Sequence, residues 1–392
     1  MSNPPPLPAA PASASPSVEW SDPAREAAFR AWLDRTGPCH GLKPASLRPA
    51  SADASFRRYL RIDCVATLGT DVSSLRPEGA VSPWCGPAAK HEGGSLIIMD
   101  APPDKENCAP FVKVAGLMAQ AGLNVPQVLD WDQANGFMLL QDLGTQTMIE
   151  AIDPAVPEAN QGLYLQAADA LVAWQAASRP DVLPAYDKAL LTRELELFPQ
   201  WYLGQHRGVA VEGSVRETLD RTFALIVERN LASPSVYVHR DFMPRNLMMP
   251  PDPAERRLGV LDFQDAVYGP ITYDIASLTR DAFLSWDEEF VLDITVRYWQ
   301  RAQKVGLPVD HDFGEFYKAV EWMGLQRHLK VAGIFARLTL RDGKPRYLAD
   351  TPRFLAYIRA TASRYRELAP LLRLVDEVEG TQQTAAYVFG RV

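Results

Sequence analysis

The chain has 392 residues, with 47% hydrophobic and 22% charged side chains, which is ordinary for a soluble globular protein of about two domains. Its 40 Lys and Arg against 48 Asp and Glu give a formal net charge of −8. An acidic chain without a long basic stripe is a poor candidate for nonspecific nucleic-acid binding. No apolar run approaches the ~20 residues of a membrane helix. We therefore expect neither a nucleic-acid nor a membrane partner.

The four cysteines are widely spaced, and none forms a CxxC pair. They predict neither a zinc site nor a disulfide framework, which favours a reduced, cytoplasmic setting. Residues 1–20 are rich in Pro, Ala and Ser, without a positive charge or an apolar core segment. We interpret them as a disordered tail rather than a secretory signal.

Residues 21–144 predict a small, strand-rich lobe. A helix is expected over 21–37, begun by Pro23 and ended by Gly37. The remaining patterns are strands at 55–63 and 95–101, a helix at 111–122, and a hairpin formed by "QVLDWD" and "GFMLLQDLG".

Residues 145–392 predict a larger, mainly helical lobe. Helical patterns cover 158–178, 186–206, 213–231 and most of 271–390. Between them, "SVYVHRDFMPRNLMM" and "RLGVLDFQDAVYG" form a β island. The predicted fold class is thus α+β, with two lobes and a β-hairpin buried in the second.

The β island carries the strongest chemical signal. Residues 239–246, "HRDFMPRN", match H-R-D-x-x-x-x-N, the catalytic loop of kinases, at every fixed position. Asp262 follows Asp241 by 21 residues, and a hairpin through "PPDPAERR" would bring it close to Asn246. Asn246 and Asp262 offer the oxygen ligands that Mg²⁺ prefers, which leaves Asp241 to face an acceptor hydroxyl. The pattern predicts ATP- and Mg²⁺-dependent phosphoryl transfer.

Several segments resemble the aminoglycoside-phosphotransferase and choline-kinase-like superfamily. They are the island itself with "PITYDIASLTRDAF", and also "DASFRRYLRI", "MDAPPDKEN", "GFMLLQDLG" and "ELELFPQWYL". They are most similar to bacterial anomeric kinases of amino sugars. The resemblance implies a protein-kinase-like fold and phosphorylation of the C1 hydroxyl of N-acetylmuramate or N-acetylglucosamine, in cell-wall sugar recycling. It also implies that Asp241 is the base, that Asn246 and Asp262 bind magnesium, and that Asp274 and a packed His239 support the loop.

The predicted nucleotide site departs from protein kinases. The turn "SADASF" has no glycine, so Ser55 and backbone groups near Phe56 would hold phosphate, and the strand at 95–101 has no lysine. Arg58 is our preferred replacement, because an arginine on an otherwise apolar strand face needs a partner. Arg57, Lys90 and Lys105 remain alternatives, as does a purely surface role.

Two further sets of residues are expected to bind ligands. Backbone groups of Gln141, Asp142 and Leu143, after the last strand of the first lobe, would contact adenine. The candidates for the acceptor site are Glu194, Trp201, Asp265 and Arg280. Arg280 could meet a substrate carboxylate or form a structural ion pair, and aromatics such as Trp201 could simply pack in the core.

Alternative functions stay open from sequence alone. The acceptor could be an aminoglycoside, choline or homoserine, although choline would require an aromatic cage. The missing lysine also fits a nucleotide-binding regulatory module without catalysis. The sequence leaves the oligomeric state open.

Overall fold

The computed structural model describes residues 18–52, 56–65, 94–252 and 254–381. Most of the predicted tail and position 55 lie outside these ranges. The chain divides into two compact units, Met1–Ala115 with Pro126–Asp142, and Gly116–Val125 with Leu143–Val392. Residues 116–125, which the predicted first lobe includes, thus belong to the second unit. None of the helices in the described ranges has the length and apolarity needed to cross a bilayer.

The first unit is built on a five-stranded antiparallel sheet, in the order β1-β2-β3-β5-β4. Its strands are β1 Arg48–Ala52, β2 Arg58–Cys64, β3 Gly94–Asp100, β4 Val128–Asp132 and β5 Phe137–Gln141. Strands β2 to β5 confirm the sequence patterns. Strand β1 was not expected, because a five-residue strand with Pro49 and an irregular register gives a weak signal.

Helix α1 (Pro23–His40) covers one face of this sheet. Phe29 and Trp32 pack on Leu60 and Ile62 of β2 in a single apolar core. The expected stop at Gly37 is wrong, because the helix continues to Gly41, which adopts a left-handed conformation (φ 60°) and donates its N–H to the Gly37 carbonyl. Two residues of the predicted tail, Val18 and Trp20, also pack against this core.

The second unit is mainly helical. Its helices are α2 Ala109–Gln120, which begins in the first unit, α3 Met148–Ala151, α4 Pro157–Ala176, α5 Lys188–Leu195, α6 Gly213–Leu231, α7 Thr272–Thr279, α8 Glu288–Lys304, α9 Phe313–Leu340, α10 Thr351–Arg364 and α11 Ala369–Glu379. The helix expected over 186–206 is interrupted: α5 ends at Leu195 and a π-helix follows over Phe198–His206. Pro199, which lacks a backbone N–H, is the local cause.

The β island forms two small antiparallel pairs instead of one hairpin. Strand β6 (Ser235–Val238) pairs with β9 (Val267–Pro270), and β7 (Leu247–Met248) pairs with β8 (Gly259–Val260). The predicted approach of the two halves of the island is therefore confirmed for β7 and β8. The strand that precedes the H-R-D segment, however, has a partner further along the chain than expected.

We expect Gly136→Ala to destabilise the protein strongly. Gly136 has φ 70°, and a β-carbon there would lie 1.9 Å from the carbonyl oxygen of Ala101. Gly122→Ala is a matched control, because Gly122 is equally left-handed (φ 83°) but has no atom within 4 Å of that position. The control should cost about 1–2 kcal/mol from backbone strain, and Gly136→Ala about 3 kcal/mol or more. Urea unfolding measures both, and equal losses would contradict the close approach.

Candidate active site

A buried carboxylate fixes the loop between β6 and β7. Asp274, in the first turn of α7, accepts the backbone N–H of His239 at 2.7 Å and that of Arg240 at 3.0 Å. Burial raises the pKa of Asp274 to about 6, against the lowering effect of His239 and these two N–H groups. The start of the loop is therefore fixed by hydrogen bonds to a carboxylate that is buried away from water.

His239 is buried beneath the same loop. Its Nδ1 accepts the N–H of Asp241 at 3.2 Å, and its Nε2 donates to the carbonyl of Leu261 at 2.9 Å. Burial lowers the pKa of this imidazole, which favours the neutral form that this pair of contacts requires. His239 thereby connects the H-R-D segment to the residue before Asp262, a position that fits the predicted supporting role.

Arg240 adopts a left-handed backbone conformation, with φ 79°. Such a conformation is unfavourable for a residue with a β-carbon and persists where the surroundings impose it. Three contacts do so: Asp274 accepts its N–H, Glu194 accepts its guanidinium at 2.5 Å, and Arg327 of α9 donates to its carbonyl at 3.0 Å. The residue just before Asp241 is thus held from α5, α7 and α9.

Asp241 lies beside a concentration of positive charge. Its Oδ1 is 3.5 Å from Nη1 of Arg327, whose side chain is 2% exposed, whereas that of Asp241 is 39% exposed. Burial by itself would raise the pKa of Asp241, but Lys330, Arg327 and Arg240 outweigh it, so this pKa lies below its ordinary value. Asp241 is therefore an ionised, partly accessible carboxylate at neutral pH.

Asn246 and Asp262 lie together, as the sequence predicts. The side-chain amide of Asn246 donates to the Asp241 carbonyl at 2.9 Å and to Oδ2 of Asp262 at 3.3 Å, and Gln264 donates to Oδ1 of Asp262 at 2.8 Å. Asp262 follows β8 rather than lying on it, with φ 63°. Two left-handed residues with side chains, Arg240 and Asp262, thus occur at one small site.

This donor set fits a magnesium ion that is shared with a substrate. Asp262 supplies a carboxylate and Asn246 an amide oxygen, both hard ligands. Within the described ranges, no group of three or more His, Cys, Asp or Glu side chains could hold a metal. The protein would therefore supply few ligands and leave the others to phosphate and water, which is usual for Mg²⁺ at nucleotide sites.

Arg57, just before β2, and Arg58, its first residue, already form ion pairs within the first unit. Arg58 contacts Asp100 at 2.6 Å and lies 3.9 Å from the ring centre of Trp20, on the sheet face that α1 covers. Arg57, on the other face, pairs with Glu106 at 3.3 Å. Phosphate binding by Arg58 stays a prediction, and it requires the guanidinium to exchange Asp100 for phosphate.

The structure gives the surroundings of Phe56 and of the segment Gln141–Leu143, whose contacts with the nucleotide stay predictions. Phe56 is 65% exposed, and its N–H donates to Glu106 at 3.2 Å. Gln141 uses its N–H in a bond to the Gln127 carbonyl, and the side chain of Asp142 binds Arg61 at 2.6 Å. Leu143 is buried. Contact of adenine with backbone groups of this segment stays a prediction.

Two of the predicted acceptor residues are interior instead. The oxygens of Glu194 are taken by Arg240, by Lys330 at 3.0 Å and by the hydroxyl of Tyr186. This corrects the expectation that Glu194 belongs to the acceptor site. Glu194 instead supports the loop through its contact with Arg240. For Arg280 the structure favours the ion-pair alternative: its guanidinium is 5% exposed and lies 3.7 Å from Glu321.

Trp201 is half-buried in the π-helix and Asp265 is exposed. The substrate role of Trp201 stays a prediction. The carbonyl of Asp265, rather than its carboxylate, faces Arg240 at 3.5 Å.

Arg327 and Lys330 are two residues of the site that the sequence patterns did not predict. Both are buried on α9, where Arg327 contacts Asp241 and Lys330 contacts Glu194. The available signal was "RHLK" inside the otherwise apolar run "WMGLQRHLKVAGIFA". Charged residues within a buried helix need partners and often mark a functional site.

Comparison with known proteins agrees with this geometry. A sequence model of the phosphotransferase enzyme family (APH) matches residues 46–308, more than half of the chain. The chain belongs to this family. Its catalytic loop and Asp262 lie inside the matched region, whereas α9, with Arg327 and Lys330, lies beyond it.

Two relatives match nearly their whole length. The chain is 47% identical over 364 residues to the N-acetylmuramate/N-acetylglucosamine kinase of Pseudomonas aeruginosa, covering 91% of this chain and 97% of that protein. It is 45% identical over 360 residues to the protein of the same name from Neisseria meningitidis, covering 92% and 97%.

Solved structures share the fold at low identity. The GDP complex of aminoglycoside 2′-phosphotransferase-IIIa matches with a TM-score of 0.55 and 12% identity, covering 86% of this chain and 99% of that one. A choline/ethanolamine kinase family protein from Mesorhizobium loti gives 0.52 and 15%, covering 90% and 99%. These likenesses confirm the predicted α+β, protein-kinase-like fold class.

We expect Arg327→Met to lower the turnover of phosphoryl transfer by roughly 10- to 100-fold with little change in KM, because a small displacement of a reacting group is costly. Arg327→Lys keeps a positive charge at this buried position, so it is the variant to measure if Arg327→Met does not fold. Arg337→Met, on the same helix, is the control and should be nearly neutral.

A double variant separates positioning from a general structural effect. If Arg327 acts through Asp241, Arg327→Met should cost little more in an Asp241→Asn background. Fully additive losses in kcat would show that the two residues act independently and would contradict this relation.

Proposed function

We propose that this protein is an ATP- and Mg²⁺-dependent kinase that phosphorylates the anomeric hydroxyl of N-acetylmuramate and N-acetylglucosamine. The observation that carries the proposal is the grouping of Asp241, Asn246 and Asp262 in a chain of the phosphotransferase enzyme family. The choice of acceptor is supported by the names of the two relatives, each matched over 97% of its length.

In this proposal Asp241 orients the acceptor. Its carboxylate accepts a hydrogen bond from the anomeric hydroxyl, directs that oxygen toward the γ-phosphorus of ATP, and takes the proton as the new O–P bond forms. The bond between the γ-phosphorus and the β,γ-bridging oxygen breaks in the same step, and ADP leaves with that oxygen. The lowered pKa of Asp241 makes it a weak base, which suits orientation better than early proton removal. Phosphoryl transfer through a loose transition state depends mainly on positioning and charge stabilisation, so a weak base is sufficient.

Asp262 and Asn246 would hold the metal. Nδ2 of Asn246 donates to the Asp241 carbonyl and to Asp262, so its amide oxygen is the atom that would be available to a cation. A magnesium ion held there would supply positive charge that offsets the charge of the nucleotide phosphates. From the first unit, Ser55, Phe56 and Arg58 would contact phosphate, and the segment Gln141–Leu143 would contact adenine.

A panel of acceptors tests the activity. We expect sugar-dependent ADP release with N-acetylmuramate and N-acetylglucosamine, but not with choline, homoserine or aminoglycosides. Asp241→Asn should reduce kcat by ~10²-fold or more while ATP binding is retained. Asp252→Asn, in the exposed loop between β7 and β8, is the matched control and should keep full activity.

Two outcomes would count against the proposal. ATP binding without turnover on any acceptor would favour the regulatory-module alternative. Normal kcat in a folded Asp241→Asn variant would remove Asp241 from its role.

Removal of the proposed metal carboxylate gives an independent test. Asp262→Ala should lower turnover by more than ~10²-fold and weaken Mg²⁺ binding in the presence of a non-hydrolysable ATP analogue, measured by calorimetry. Asn246→Ala should have a smaller effect, because it removes a neutral ligand. Gln264→Ala, which deletes only a donor to Asp262, is the control. An unchanged magnesium dependence in Asp262→Ala would refute the metal site.

A further inference from the structure

The catalytic loop presents one exposed cation. Arg245 precedes Asn246 in the single 3₁₀ turn Pro244–Asn246, and its side chain is exposed. Its guanidinium carbon lies 4.6 Å from the ring centre of Phe283. This stacking orients the planar group without neutralising its charge. Within the part of the chain that the structure describes, Arg245 takes part in no ion pair.

A series of contacts and electrostatic interactions relates Arg245 to Asp241. The backbone N–H of Phe283 donates to Asp281 at 2.7 Å. Burial raises the pKa of Asp281 to about 6, and the positive charges of Arg327 and Arg245 act against this rise. Arg327 in turn lies 3.5 Å from Asp241. Arg245 therefore borders the group of residues around the carboxylate that would receive the acceptor hydroxyl.

The two proposed acceptors differ in charge at one position. N-acetylmuramate carries a lactyl ether on C3, which ends in a carboxylate, whereas N-acetylglucosamine has a neutral hydroxyl there. C3 is separated from the reacting C1 by a single ring carbon, so a carboxylate at C3 remains near the residues around Asp241. Arg280, the cation that the sequence suggested for such a group, is buried against Glu321. An exposed guanidinium can bind a carboxylate through two parallel hydrogen bonds.

We propose that Arg245 determines specificity by binding the carboxylate of anionic, lactyl-bearing amino sugars. This inference rests on the proposed function, since it assumes that both sugars are acceptors. It predicts that the charge at position 245 affects one substrate and leaves the other unchanged.

The two sugars provide an internal control. Arg245→Gln should lower kcat/KM for N-acetylmuramate by roughly 10- to 100-fold, the scale of a hydrogen bond to a charged group, mainly through KM. kcat/KM for N-acetylglucosamine should stay within about twofold. Arg245→Lys should recover part of the loss, because an ammonium keeps the charge but not the paired geometry. Arg256→Gln, an exposed arginine between β7 and β8, should alter neither substrate.

Ionic strength gives a second measurement. In the wild type, the ratio of kcat/KM for the two sugars should shift toward N-acetylglucosamine as salt increases, and in Arg245→Gln it should not. Equal losses for both sugars would show that Arg245 serves the nucleotide or the loop, and would overturn the proposal, as would no loss for either. If the wild type phosphorylates neither sugar, the proposed function itself fails, which is a distinct result.

Discussion

Two hydrogen bonds from consecutive backbone N–H groups to Asp274 are the constraint on which the rest of the site depends. They attach the start of the catalytic loop to α7. A buried carboxylate that lost these donors would be left without water or partner, which is costly. The loop therefore cannot leave this position without exposing or neutralising Asp274. This attachment sets the start of the loop, and the further contacts of His239 and Arg240 complete the placement of Asp241.

The buried charges around Arg240 connect helices that are far apart in sequence. Glu194 comes from α5, Asp274 from α7, and Arg327 with Lys330 from α9. Each compensates another, since a buried charge is tolerated where it is paired. The backbone strain at Arg240 persists because these groups hold it from three sides. The packing of the helices in the second unit thus determines the position of Asp241, the predicted base.

Short-range patterns predicted much of this molecule. The fold class, most helices, and the approach of Asn246 and Asp262 follow from local periodicity and from the spacing of one motif. The functional position of Glu194 and the contribution of Arg327 could not be predicted, because both depend on contacts between residues 46 and 87 positions apart in the chain. The extension of α1 to His40, with Gly41 as its cap, instead of a stop at Gly37 is a local failure, since both glycines are plausible stops in the sequence.

The hairpin of β7 and β8 has only two paired positions, Leu247 with Val260 and Met248 with Gly259. Its register is fixed by packing, because a β-carbon on Gly259 would lie 2.8 Å from Leu143. The exposed residues Pro251, Asp252 and Ala254 lie at the tip of the intervening segment. Loop closure becomes only slowly more costly with length, so this tip is a site where insertions or a grafted reporter domain could be accommodated while Asn246 and Asp262 keep their places.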